Sequence, residues 1–204
     1  MQDYQFIAPF YDFLLAPFMR SIRREVLEIV RRLEPEKVLD VACGTGDQLR
    51  LLSKNGFDAV GVDMSESMLK VCRRANPASD CLLQDAAAMA FQNHCFDLAM
   101  IAFALHETEW ESAGKILQDI HRVLKPSGRL LVVDYSKFRQ TPFYVRYVIH
   151  TIEFMAGQRH FRNFRRYHHE GGLGALMNKT RFFPLASTYR ASRSIVLQLF
   201  KPLV

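Results

Sequence analysis

A short apolar run, Val38-Leu39-Asp40-Val41, stops at Ala42-Cys43-Gly44-Thr45-Gly46, and an amphipathic segment follows at once. Small residues at a strand-to-helix turn let a ligand lie against the main chain, so this loop predicts a nucleotide-like cofactor at the end of a strand. The dinucleotide fingerprint G-x-G-x-x-G needs a third glycine, and Leu49 stands where it would be after Gly44 and Gly46. A glycine pair also occurs at such turns for steric reasons alone, so the loop needs other residues to support it.

Three further runs end in polar groups. Asp58 to Asp63 ends in an acid about 20 residues beyond the loop, where a carboxylate would accept from two ribose hydroxyls. Cys81 to Ala86 carries Asp85 near its end, and Phe96 to His106 ends in a histidine. Aspartates also cap helices and turns, but Ser65 can cap the segment after Asp63, which frees that carboxylate for a ligand. His106 is the candidate general base, because its reference pKa lies near neutrality and it follows the fourth run; Glu107 and Glu109 are weaker alternatives beside it.

The elements that must position these groups alternate. Apolar runs begin near residues 37, 58, 80, 96 and 128, and helical patterns fill about 47–55, 65–75 and 111–124. Residues 18–33 form an amphipathic opening helix with Phe18, Ile22, Val26, Ile29, Val30 and Leu33 at helical spacing. Such alternation predicts an α/β fold, a parallel sheet with helices on both faces. Arg181 to Ala191 and Ser194 to Pro202 are separated too briefly for parallel strands, so they predict a hairpin. Between lies a basic aromatic insertion, residues 137–180, expected to cover the strand ends as a lid. The length suits one domain, 1–204, with residues 1–34 as an N-terminal helical cap.

Four motifs in order, Leu39 to Gly46, Gly61-Val62-Asp63-Met64-Ser65-Glu66-Ser67-Met68-Leu69, Gln84-Asp85-Ala86 and Leu124-Lys125-Pro126-Ser127-Gly128-Arg129-Leu130, resemble the class I S-adenosylmethionine-dependent methyltransferases. Within these the chain is most similar to the branch containing the ubiquinone and menaquinone biosynthesis methyltransferases. The likeness is close over about residues 35–136 and looser at both ends; the family's usual first loop glycine is Ala42 here. It implies a Rossmann-like, mostly parallel seven-stranded sheet whose final strand inserts antiparallel, and S-adenosylmethionine as cofactor. By resemblance, Asp40, Ala42, Gly44 and Gly46 hold the methionyl end, Asp63 the ribose and Met64 a face of the adenine. Asp85 and Ala86 take the adenine edge, and Ala102 lies beside the cofactor at the fourth strand. Tyr11, in an aromatic segment with Tyr4 that folds over the cofactor in relatives, would reach the methionyl carboxylate.

The acceptor implied is a hydrophobic small molecule such as a quinone or phenol precursor. A phospholipid head group methylated on nitrogen is the alternative, and a non-catalytic cofactor-binding regulatory or assembly protein is the alternative from another class. From residue 137 onward there are 12 Lys or Arg against two acids, Glu153 and Glu170, within a net charge of +6. That basic tail suits an anionic substrate, an acidic lipid surface or nucleic acid, and equally a solvated helical face. Arg159 to His169 mixes cations with aromatics in the manner of RNA stacking, yet the Asn-Pro-Pro-Tyr and Pro-Cys motifs of base methylation are missing, so nucleic acid ranks last. Cys43, Cys72, Cys81 and Cys95 show no paired metal spacing and predict reduced thiols. Adjacent His168 and His169 do not share a helical face, so no metal site is expected. Without an apolar-cored leader, the expectation is a cytoplasmic protein with peripheral contact to anionic membrane left open.

Overall fold

The computed structural model describes residues 8–75, 80–138 and 141–203, with side chains from Met19 onward. In chain order the elements are α1 (Ala8–Leu33), β1 (Lys37–Val41), α2 (Asp47–Ser53), β2 (Asp58–Asp63), α3 (Glu66–Ala75), β3 (Asp80–Leu83) and β4 (Phe96–Ala102). There follow α4 (Trp110–Val123), β5 (Leu124–Tyr135), α5 (Phe143–Met155), α6 (Gln158–His169), α7 (Gly172–Met177), β6 (Phe182–Arg190) and β7 (Ile195–Pro202).

The seven strands form one sheet in the order β3-β2-β1-β4-β5-β7-β6. The first five pair in parallel, while β7 runs antiparallel to both β5 and β6. Central strands are buried on both faces: Val38, Leu39, Asp40 and Val41 are buried in succession, which is why the run reads as mostly apolar rather than alternating. Edge strand β6 is mostly exposed and carries Pro184 at a register shift, a position where the missing N–H costs no central ladder bond. On α4, Trp110, Ala113, Leu117, Ile120 and Val123 form the buried face. Successive connections reverse between β1 and β4, so their C-terminal ends open a crevice at the switch point of the sheet.

Two details depart from expectation. Strand β5 begins at Leu124 rather than near 128, because Leu124 pairs with Phe96 across an irregularity before the main register resumes at Arg129. Cys72 on α3 and Cys81 on β3 are joined as a disulfide; packing of α3 against its own following strand brings together two thiols nine residues apart, which spacing alone did not reveal. Cys43 and Cys95 are free.

Candidate functional site

The loop after β1 is a left-handed turn. Ala42, Gly44 and Gly46 have φ of 57°, 55° and 73°, a region costly for most side chains and free for glycine. The Cys43 amide donates to Val62 O at 3.0 Å, tying the loop to β2. Close approach depends on Gly61, where an added Cβ would stand 2.7 Å from Cys43 Sγ and 3.0 Å from Leu49 Cδ2.

Asp63 closes the site from the end of β2. Its Oδ2 accepts from the Gly44 amide and its Oδ1 from the Ser65 amide, both at 2.8 Å. Each oxygen retains acceptor capacity, and Ser65 Oγ accepts from the Met68 amide at the start of α3. Beneath the loop Asp40 is 4% exposed, and its Oδ2 has no hydrogen-bond partner among the described residues. Burial and the neighbouring Asp63 carboxylate push Asp40 up to about 7, against the opposing effect of Arg23. Burial and the same two carboxylates push the Cys43 thiol up as well. Two acids under a glycine loop disfavour a pyrophosphate and favour a cationic group, and the orphaned oxygen is an acceptor of the kind an ammonium fills.

The remaining expected positions ring this crest. Met64 is 72% exposed just beyond β2. Asp85 is exposed, with Oδ1 accepting from the Ala87 amide at 2.9 Å, so one oxygen holds a turn while the other is available. Ala86 and Ala102 are half-buried, Ala102 as the last residue of β4. Tyr11 lies on α1 with its side chain outside the described residues, and Tyr4 falls outside them altogether.

On the other side of the switch point, His106 is buried between carboxylates. Nδ1 donates to Asp134 Oδ1 at 2.7 Å, and Nε2 is 3.5 Å from Glu153 Oε2. Burial alone would push the imidazolium down; Asp134 and Glu153 reverse that and lift it to about 10. An imidazole held this way favours its protonated form, so Nε2 serves as a base or as a ligand only once its proton has left. Glu153 also contacts His160 Nε2, whose Nδ1 is 2.9 Å from Glu107 Oε2. Burial opposes charge on His160, and Glu107 and Glu153 raise it to about 9. Burial likewise opposes ionisation of Glu153, but the two imidazoles hold its carboxyl well below the usual range.

Asp134, Glu153 and His160 were not singled out from sequence. Asp134 ends an apolar strand run as Asp63 does, and Glu153 stands alone as an acid in an apolar helix; both signals are legible in retrospect. The basic aromatic run on α6 resolves by face. Phe164 and Tyr167 are fully buried, while Arg159 and Arg166 point outward to Glu109 and Glu111. Those two aromatics belong to the core rather than to a base-stacking surface.

A depression of about 450 Å³ lined by Glu34, Glu36, Asp97, Lys125 and Arg129 lies at the N-terminal edge of the strands, away from the crest. In open α/β sheets ligands bind at the carboxyl ends, which makes the crest the candidate side.

Residues 38–128 match the methyltransferase domain family model. The chain is 34% identical over 159 residues to a demethylmenaquinone methyltransferase of Renibacterium salmoninarum, covering 74% of this chain and 66% of that one. Across the curated relatives it matches, the chain spans about half to two-thirds of their length. Among solved structures, the PH0226 protein of Pyrococcus horikoshii OT3 superposes with a TM-score of 0.71 at 20% identity, over 90% of each chain. The plantazolicin methyltransferase BpumL in complex with SAH superposes with a TM-score of 0.70 at 14% identity, over 100% of this chain and 91% of that one. The matched segment contains the glycine loop, Asp63, Asp85 and the start of β5, and over those residues the chain carries a methyltransferase domain similar to those of its curated relatives.

Proposed function

We propose that this protein transfers a methyl group from S-adenosylmethionine to a hydrophobic quinone or phenol precursor. The observation that carries the cofactor half is the acidic floor of the glycine loop, with Asp63 anchoring the Gly44 amide and Asp40 keeping a buried oxygen that has no partner among the described residues. Asp40 and the loop would hold the methionyl end, Asp63 the ribose, and Met64, Asp85 and Ala86 the adenine, with Ala102 and Tyr11 alongside. When bound, the cofactor supplies an electrophilic methyl group for in-line displacement, so the chain's main task is to align the acceptor and exclude water.

The acceptor half draws support from the insertion. Tyr135, Phe138, His150, Phe164 and His168 form a cluster of rings, with His168 stacked on Phe138 at 4.1 Å. Beside it, Thr141 Oγ1 and His168 Nε2 are buried polar atoms without partners among the described residues, the kind of groups that take up a ligand hydroxyl. The names of the curated relatives agree with an aromatic, quinone-type acceptor. On α5, Phe143, Tyr144, Tyr147 and Val148 are exposed large apolar residues, with Arg146 among them, a surface suited to peripheral contact with anionic lipid where such acceptors dissolve.

The test incubates the purified chain with S-adenosylmethionine and each of three acceptor pools: reduced isoprenoid quinol precursors, simple phenols and ethanolamine phospholipids. Release of S-adenosylhomocysteine with a one-methyl mass gain on a quinol or phenol is the expected result. Turnover on the phospholipid alone overturns the acceptor assignment. Tight cofactor binding without turnover on any pool overturns the enzyme reading in favour of a binding protein.

A further inference from the structure

His106 stands in the loop after β4, Glu153 in the last turn of α5 and His160 in the first turn of α6. Their donor atoms converge: His106 Nε2 is 3.5 Å from Glu153 Oε2, that oxygen contacts His160 Nε2, and all three lie within 4.8 Å of one another. We propose that His106, Glu153 and His160 form a binding site for a divalent transition-metal ion, zinc before the others, where the insertion meets the strand ends.

The donor set selects the metal class. Two imidazoles and one carboxylate suit zinc and its first-row neighbours, whereas calcium and magnesium need oxygen ligands. Donors about 2.0–2.2 Å from a tetrahedral ion stand roughly 3.3 Å apart, and the 3.5 Å between His106 Nε2 and Glu153 Oε2 is already of that size. The His160 contact with Glu153 is closer, so His160 would draw back slightly to admit the ion. Three protein ligands leave a fourth position open, as zinc sites with reactive water or substrate do.

What separates this cluster from a chance gathering of polar groups is its outer support. His106 Nδ1 donates to Asp134 Oδ1 at 2.7 Å, and His160 Nδ1 faces Glu107 Oε2 at 2.9 Å. Each ring is thereby held by a carboxylate on its far side, with Nε2 directed to the common point, the arrangement that orients metal-bound histidines. The Tyr135 hydroxyl donates to Glu153 Oε1 at 2.8 Å, leaving Oε2 as the inward atom. Asp134 is itself fixed by the amides of Leu105, His106 and Tyr135, at 3.1, 3.3 and 2.7 Å. The backbone also serves the convergence: Gly157 at φ 118° lets α5 turn into α6 within two residues, bringing Glu153 and His160 together. Finally, Asp134, Glu153 and Glu107 outnumber the two imidazoles, a local surplus of negative charge that favours a cation.

This site stands apart from the methyl-transfer reading, since it uses no cofactor-binding residue and is tested without turnover. The tag-free full chain, stripped with a chelator and dialysed, is titrated calorimetrically with Zn²⁺, and the Co²⁺-loaded protein is examined by absorption spectroscopy. The expected result is one equivalent of Zn²⁺ per chain and a Co²⁺ spectrum of low coordination number without a thiolate charge-transfer band. Glu153→Gln and the less buried His160→Ala should each weaken Zn²⁺ binding more than about 100-fold, and Glu107→Gln, an outer partner, about 10- to 100-fold. No Zn²⁺ binding by the folded wild-type chain overturns the site, as does a thiolate band. Undiminished binding in both folded ligand variants overturns it too, by assigning the ion to other residues. If either variant fails to fold, the wild-type stoichiometry and Co²⁺ spectrum decide.

Discussion

Asp40→Asn separates what the glycine loop costs the empty protein from what it offers the ligand. Burial first, and Asp63 second, raise the Asp40 carboxyl from 3.8 to about 7. The unfolded chain releases this proton near pH 4, whereas the folded chain keeps it until about pH 7. A raised carboxylate pKa therefore favours the unfolded state by an amount that grows from pH 4 to pH 7 and stays constant above. Three units at 1.36 kcal/mol each set the full deficit at about 4 kcal/mol. An amide does not titrate, so Asp40→Asn should be more stable than wild type at pH 8 by up to about 4 kcal/mol, with a much smaller gain at pH 5. The same change removes an anionic acceptor from the loop and should weaken S-adenosylmethionine by about 1.5–3 kcal/mol, the worth of a hydrogen bond to a charged group. Ligand-free urea denaturation at the two pH values, with calorimetric titration of the cofactor, measures both effects. A stability gain equal at pH 5 and pH 8 would refute the electrostatic account, and unchanged affinity would remove Asp40 from the cofactor site.

Asp63→Ala should lower cofactor affinity by a further charge-assisted bond, about 1.5–3 kcal/mol, and free the Gly44 and Ser65 amides it now holds; titration with a nicotinamide dinucleotide should show no compensating gain. Gly61→Ala places a methyl group 2.7 Å from Cys43 Sγ and should destabilise by about 1–3 kcal/mol. Adding Cys43→Ala should recover part of that loss, and a strictly additive double variant would show that the loop does not rest on β2. Replacing Phe143 and Tyr147, 83% and 75% exposed, by serine should reduce co-sedimentation with anionic vesicles while leaving the thermal midpoint within about 2 °C of wild type, since surface changes are commonly within 0.5 kcal/mol. Equal sedimentation of variant and wild type would count against α5 as a lipid-facing surface.

The sheet and its candidate cofactor crest were legible because their signals are local. A central parallel strand is covered on both faces, so β1, β2 and β4 appear as mostly apolar runs, and β1 ends at a loop of small residues. Asp63 was readable for the same reason, since a carboxylate closing such a run stands at the crest whatever the remainder of the fold does. Even the C-terminal hairpin followed from a local limit, the connection being too short for parallel strands.

What sequence left undecided depends on contacts between distant segments. Cys72 and Cys81 meet only because α3 lies back on β3, and the carboxylates that push His106 up belong to Asp134, 28 residues away, and to Glu153 on a helix of the insertion. A pKa depends on burial and on neighbouring charges, neither of which has a period or a spacing along the chain. By itself the sequence determined the fold, the cofactor class and the glycine-loop and Asp63 candidates for holding that cofactor. The tertiary structure decided which charges face Asp40 and His106 and the convergence of His106, Glu153 and His160, because those depend on which side chains share one low-dielectric space.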